Sequence, residues 1–90
     1  MYTDDKIMNG GEITDTGKFT NGSGHPFYLF LQPKSDDNAG SYCLNVKISR
    51  SDSYKQYPFM VNTWNPVVLN GVDVTSGDLE KYRIFYGEES

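Results

Sequence analysis

The sequence predicts an all-β fold, a small antiparallel β-sandwich or barrel of five to six strands with an extended N-terminal arm. Three observations predict it. Apolar and polar residues alternate over short runs, and Gly, Asn, Asp, Ser and Pro separate those runs, which is the pattern of strands joined by turns. Aromatic residues make up 14% of the chain within a hydrophobic fraction of only 37%, and aromatic side chains suit a pleated, half-buried surface. No stretch holds a 3.6-residue apolar period over three turns, so a helical bundle is excluded. A chain of 90 residues allows one small domain with a thin core.

Residues 1–24 differ from the rest. They contain Gly10, Gly11, Gly17, Gly22 and Gly24, and few large apolar side chains, Tyr2, Ile7, Met8, Ile13 and Phe19 beyond the initial Met1. Neither a period of 2 nor one of 3.6 runs through them. Such a segment cannot offset its ordering entropy by burial within itself. It is expected to be an extended glycine-rich arm, mobile or ordered on a neighbouring surface, with Lys18-Phe19-Thr20 adding one short edge strand. The compact β domain is expected to span 25–90.

His25 to Gln32 is apolar on both faces, as in a strand covered on both sides. Pro33 to Gly40 is rich in turn formers. Ser41 to Ser49 alternates cleanly, with Tyr42, Leu44, Val46 and Ile48 on one face and Cys43, Asn45 and Lys47 on the other. Arg50-Ser51-Asp52-Ser53 is a loop. Gln56 to Asn62 reads as a strand with Tyr57, Phe59 and Val61 on one face. Pro58 puts its start on a sheet edge, because proline cannot donate to a ladder. Val67-Val68-Leu69 and Val72-Asp73-Val74 flank Asn70-Gly71, which predicts a type I′ hairpin. Thr75 to Lys81 reads as a single helical turn or a loop, with Thr75 or Ser76 as its cap. Tyr82 to Tyr86 is a last strand, closed by Gly87.

Composition excludes several function classes. The net charge is −4 and the pI is near 4.7, whereas a protein that holds nucleic acid through its phosphates needs a surplus of Lys and Arg. Residues 1–24 carry −2, residues 25–76 sum to zero and residues 77–90 carry −2. The charge sits at the ends, and it weakens any reading as a polyanion mimic. No run approaches 18 apolar residues, so no membrane span is expected. Met1 to Lys6 has neither the basic start nor the apolar core of a secretory signal.

Chemistry-bearing motifs are scarce. Cys43 is the sole cysteine; it is read as a small buried hydrophobe in a strand. His25 is the sole histidine, and no metal-ligand spacing surrounds it. Asp36-Asp37-Asn38 lacks the alternation and distal Glu of a calcium loop and is read as a turn. Gly22-Ser23-Gly24 has no following Lys-Ser or Lys-Thr and is not a phosphate loop. Asn21-Gly22-Ser23 is formally a glycosylation acceptor and is read as a turn. No catalytic, metal or cofactor residues are assigned, and an enzyme is not expected.

The aromatics carry the functional argument. Seven Tyr, five Phe and one Trp exceed what so small a core can bury. The surplus can form a protein interface, a second small cluster under a loop or a sugar-stacking surface. The candidate partner-binding residues are Ile7, Met8, Ile13 and Phe19 from the arm, with Tyr28, Phe30, Tyr54, Tyr57 and Trp64 from the β domain.

Tyr82-Arg83-Ile84-Phe85-Tyr86-Gly87, preceded by Pro66-Val67-Val68-Leu69-Asn70-Gly71, resembles the end of small structural proteins of tailed bacteriophages, those that decorate capsids or serve as minor virion components. The resemblance covers about 25 residues. It implies a non-enzymatic auxiliary or decoration protein located in the virion, without catalytic residues. The expected partner is the major capsid protein or another virion protein, held through the arm and one aromatic sheet face; a homo-oligomer is a further possibility. Two other readings stand beside it: a small phage-encoded inhibitor of the anti-CRISPR kind, and a carbohydrate-binding module using Trp64 and neighbouring tyrosines.

Overall fold

The clean alternation of Ser41 to Ser49 builds strand β4 (Ser41–Lys47), which lies inside a four-stranded sheet. The computed structural model describes residues 7–22, 24–35 and 40–89. In chain order the elements are β1 (Ile7–Ile13), β2 (Gly17–Phe19), β3 (Tyr28–Pro33), β4, β5 (Lys55–Met60), β6 (Gly71–Val74), helix α1 (Ser76–Lys81) and β7 (Tyr82–Glu89). They form two antiparallel sheets, β1-β7-β3 and β2-β6-β4-β5. The result is a small sandwich-like fold of seven strands, where five to six were expected.

The extra strand comes from the N-terminal segment. Residues 7–13 pair with β7, Ile13 lying opposite Ile84, and residues 17–19 pair with β6, Phe19 lying opposite Val72. The segment is extended, but its backbone is used within this chain's own sheets and not held out as a free arm. Its glycines permit this. A Cβ at Gly10 would sit 1.8 Å from the carbonyl oxygen of Tyr86, so only glycine lets β1 approach β7 at the bulge between Met8 and Gly11. Gly10, one of the glycines that suggest mobility, serves close approach, whereas Gly17 and Gly24 supply positive φ, at 108° and 82°.

The two inner faces make one core. Leu29 and Leu31 of β3, Ile84 and Tyr82 of β7 and Ile13 of β1 face Leu44 and Val46 of β4, Phe59 of β5 and Val72 and Val74 of β6. Phe27 and Leu69 complete it, both fully buried. Burying each such side chain is worth roughly 1.5–3 kcal/mol. Ile48, expected on the inner face, lies beyond the end of β4 and is exposed.

Cys43 is a second correction. It is exposed on the outer face of β4. The alternation had placed it opposite Leu44 and Val46, and no layer covers that face.

The predicted Asn70-Gly71 hairpin does not form. Leu69 exchanges both backbone hydrogen bonds with Phe27, at 2.9 and 2.8 Å, while β6 pairs with β2 and β4. Between Leu69 and Gly71 the chain crosses from one sheet to the other, and the Asn70 amide donates to the Lys47 carbonyl at 2.7 Å. Gly71 is not among the residues with positive φ. Its lack of a side chain makes room for Tyr54, whose hydroxyl would lie 2.5 Å from a Cβ there.

Residues 61–69 seal the free edge of β3. Asn62 donates to the Leu31 carbonyl at 2.8 Å and Asn65 to the Leu29 carbonyl at 3.1 Å. The buried Asn65 side chain accepts from the Met60 amide at 2.8 Å and donates to the Met60 carbonyl at 3.0 Å. One carboxamide thus fixes the corner where the chain leaves β5 and reaches β3. β5 is an edge strand that contains Pro58, and it ends at Met60, short of the expected Asn62.

α1 forms as the capping signal predicts. Thr75 caps it: the Asp78 amide donates to the Thr75 hydroxyl and the Thr75 amide donates to the Asp78 carboxylate, a reciprocal capping box.

Candidate functional site: the aromatic outer face of the three-stranded sheet

The outer face of the β1-β7-β3 sheet follows from side-chain alternation. In β7, Tyr82, Ile84 and Tyr86 turn inward, which sends Arg83 and Phe85 outward. In β3, Leu29 and Leu31 turn inward and Phe30 turns outward. The register sets Phe30 directly opposite Phe85, and Glu12 of β1 opposite Phe85 on its other side. Trp64, carried on the segment along the edge of β3, bridges to Phe30.

These rings interlock edge to face. The Phe30 and Trp64 centroids are 5.5 Å apart at 64°, and those of Phe30 and Phe85 are 6.3 Å apart at 73°. All three side chains are partly exposed. The Arg83 guanidinium lies 5.3 Å from the Phe85 ring centroid and donates two hydrogen bonds to the Glu12 carboxylate, at 3.2 and 3.0 Å. Those bonds hold the Glu12 carboxyl below its usual range and the Arg83 guanidinium above its own. The face is a row of three aromatic rings with a charged pair along one flank.

The candidate residues from the sequence divide. Phe30 and Trp64 lie on this face. Tyr28 does not: it is 6% exposed, opposite Gly87, and lines a small cleft with His25, Pro26, Val68 and Glu88. Ile13 is a core residue, 3% exposed. Phe19 packs against Phe27 and Tyr86, with centroids 5.4 and 4.7 Å away. Ile13 and Tyr28 therefore leave the set of surface candidates, because strand pairing carries them into the interior. Ile7 and Met8 lie in β1, opposite Glu89 and Glu88, and their side chains are outside the described residues. Tyr57, 40% exposed, leans on Phe59 at the rim of the other sheet. Tyr54 packs over Gly71 beneath Lys18 and Lys47; burial, and secondarily Asp73, pushes its phenol up.

Sequence reasoning missed Phe85 and Arg83. The signal was present: the alternation that turns Tyr82 and Ile84 inward leaves an aromatic and an arginine on the opposite face of a short strand.

Elsewhere, Tyr42 donates to the buried Asp78 carboxylate. Burial first, and that bond second, push the Tyr42 phenol up to about 12. Burial raises Tyr82 as well. Among the described residues no three His, Cys, Asp or Glu side chains gather around a point that could hold a metal ion. Asp36, Asp37 and Asn38, read as a turn, lie outside the described residues. Among the described residues no helix is long and apolar enough to cross a membrane. No protein-family model, curated protein or solved structure matches the chain.

Proposed function

We propose that the protein is a non-enzymatic binding module, an auxiliary or decoration component of a phage particle, and that it docks on a virion protein through the outer face of β1-β7-β3. The observation that carries this is the row Phe30, Trp64 and Phe85, partly exposed and held edge to face on a rigid sheet. Preordered aromatic side chains lose little entropy on docking and bury much area, which is why they dominate protein interfaces. Of the stretches that resemble phage virion proteins, 82–87 lies in the central strand of this same sheet, and 66–71 runs along its edge as far as Leu69 before crossing to β6. Docking is assigned to the sheet face because the backbone of 7–13 and 17–19 is committed to β7 and β6.

The test is co-sedimentation with purified particles of the phage that encodes the chain. Binding is expected to fall sharply for Phe85→Ser and for Phe30→Ser. The emission of Trp64, the sole tryptophan, is expected to shift to the blue in the bound state. Binding that survives both substitutions removes the face from the interface. A gene with no capsid, portal or tail genes beside it removes the virion assignment.

A further inference from the structure

At the opposite end of β3 from Pro33, between Thr20, Asn21, Gly24 and His25 on one side and the turn after β4 on the other, lies a cleft of about 300 Å³. We infer that it binds a small tetrahedral oxyanion, a phosphate or sulfate group on a compact polar molecule. This site is separate from the aromatic face and does not rest on the docking reading.

The charge of the lining is the first reason. The chain carries −4 overall, yet the cleft is lined by Lys47, Arg50 and His25 together with Thr20, Asn21 and Asn70, and no carboxylate among the described residues lines it. Glu88 accepts from Asn21 at 2.9 Å and lies 3.3 Å from His25. Those contacts engage both of its oxygens. Asp52 accepts from the Ser49 amide at 3.3 Å. Asp73 faces the Tyr54 phenol.

Pre-organisation is the second. Lys47 closes β4 opposite Gly71, and the Asn70 amide pins its carbonyl at 2.7 Å. Its ammonium lies 5.6 Å from the Tyr54 ring centroid, with that of Lys18 at 5.4 Å from the same ring. Arg50 stands on a turn closed by the Asp52 amide donating to the Ser49 carbonyl at 3.1 Å. Its guanidinium donates to the Gly24 carbonyl at 2.7 Å across the cleft. Gly24 meets it by taking φ +82°, in a turn closed by its own amide on the Asn21 carbonyl at 2.9 Å. That bond uses one of the five N–H donors of an arginine and orients the fork.

The ligand class follows from these donors. The Arg50 fork, Lys47 and polar Thr20, Asn21 and Asn70 line the cleft from separate segments, Asn70 held there by its carboxamide donating to the Ile48 carbonyl at 2.6 Å, and a lining of this kind suits an oxyanion with acceptors in several directions. A cleft of this size lies at the low end for small-molecule sites. The acidic chain opposes a long polyanion but not a compact one, because repulsion accumulates along a polymer.

The test is an NMR titration of the full chain with inorganic phosphate, glycerol phosphate and sulfate at constant ionic strength. Saturating shifts are expected at the amides of Gly24, Arg50 and Asn70, and the tighter of phosphate and sulfate names the ligand's source. Arg50→Gln and Lys47→Gln are each expected to weaken binding about tenfold or more, the effect of losing a charge-assisted hydrogen bond. Lys34→Gln, at the other end of β3, is expected to leave it unchanged. Arg50 is exposed, so its variant keeps the fold, and unchanged shifts elsewhere verify that. Linear shifts, shifts spread over the whole molecule, or equal affinity in wild type and Arg50→Gln would overturn the proposal. So would preferential, tighter binding of a single-stranded oligonucleotide.

Discussion

The two sheets share one core but differ outside it. On the four-stranded sheet the outward positions are Ser41, Cys43 and Asn45 of β4 with Gln56, Pro58 and Met60 of β5, all exposed. Water covers these positions, and apart from Met60 their side chains are small or polar; at the β6 end of the same face the Tyr54 ring packs over Gly71 beneath Lys18 and Lys47. On the three-stranded sheet the outward positions include Phe30 and Phe85, with Trp64 folded against them and Arg83 paired to Glu12 alongside. The first sheet has one apolar face and the second has two. Core formation accounts for one apolar face per sheet; the outward rings of β3 and β7 come in addition to it, and the proposed docking rests on them.

The comparison rests on the inner faces being equivalent, and the largest expected effect tests that. Phe27→Ala and Phe59→Ala, one from each side of the core, should each cost about 3–5 kcal/mol. Urea unfolding should stay a single transition in both. A variant that melts one sheet while the other persists would divide the molecule into two units.

Asn65→Ala tests the joint between the sheets. It strips the Met60 amide and carbonyl of their side-chain partner at a buried corner, and should cost about 2–3 kcal/mol in the same measurement.

The helix end comes next. Asp78→Ala removes the capping box and the acceptor of Tyr42, and should cost about 1–2 kcal/mol. The same pair gives a pH dependence. Tyr42 is raised from 10.0 to about 12, so the folded protein keeps a proton that the unfolded chain loses first. This contribution is complete below the unfolded value and falls away as the pH rises through the folded one. The thermal midpoint should therefore drop between these values. Tyr42→Phe should make the drop shallower, with Tyr54 and Tyr82, both also raised, leaving a residue of it.

The smallest effect belongs to the polar face. Cys43→Ser should change stability by no more than about 0.5 kcal/mol, and a thiol reagent should modify Cys43 in the native protein. A protected thiol would mean that the face is covered, and the contrast between the two sheets would fail.

Strand identity was largely legible where alternation was clean. Ser41 to Lys47 and Tyr82 to Tyr86 needed only their own period, and Thr75 or Ser76 offered a cap for the helical turn, the structure choosing Thr75. The N-terminal segment was not legible, because the partner of Gly10 is the Tyr86 carbonyl, 76 residues away along the chain. Asn70-Gly71 misled for the same reason: a local turn preference of this kind yields when Leu69 gains a fully buried place beside Phe27. Of the candidate site, Phe30 and Trp64 were found from aromatic surplus, while Tyr28 and Ile13 were lost to the interior and Phe85 was overlooked. The cleft carried no local signal, since Gly24, Lys47 and Asn70 come from three separate segments.

The sequence by itself determined the fold class, the runs that become β3, β4 and β7, the capped helical turn and the distribution of charge toward the ends. Each depends on residues within reach of one another along the chain, through side-chain period, capping and backbone preference. Tertiary structure alone decided which sheet each strand joins, that residues 7–19 belong to the body, which aromatics stay at the surface, and that Lys47 and Arg50 face one cleft. Those outcomes depend on register between distant strands, where a shift of one residue exchanges the inner and outer faces.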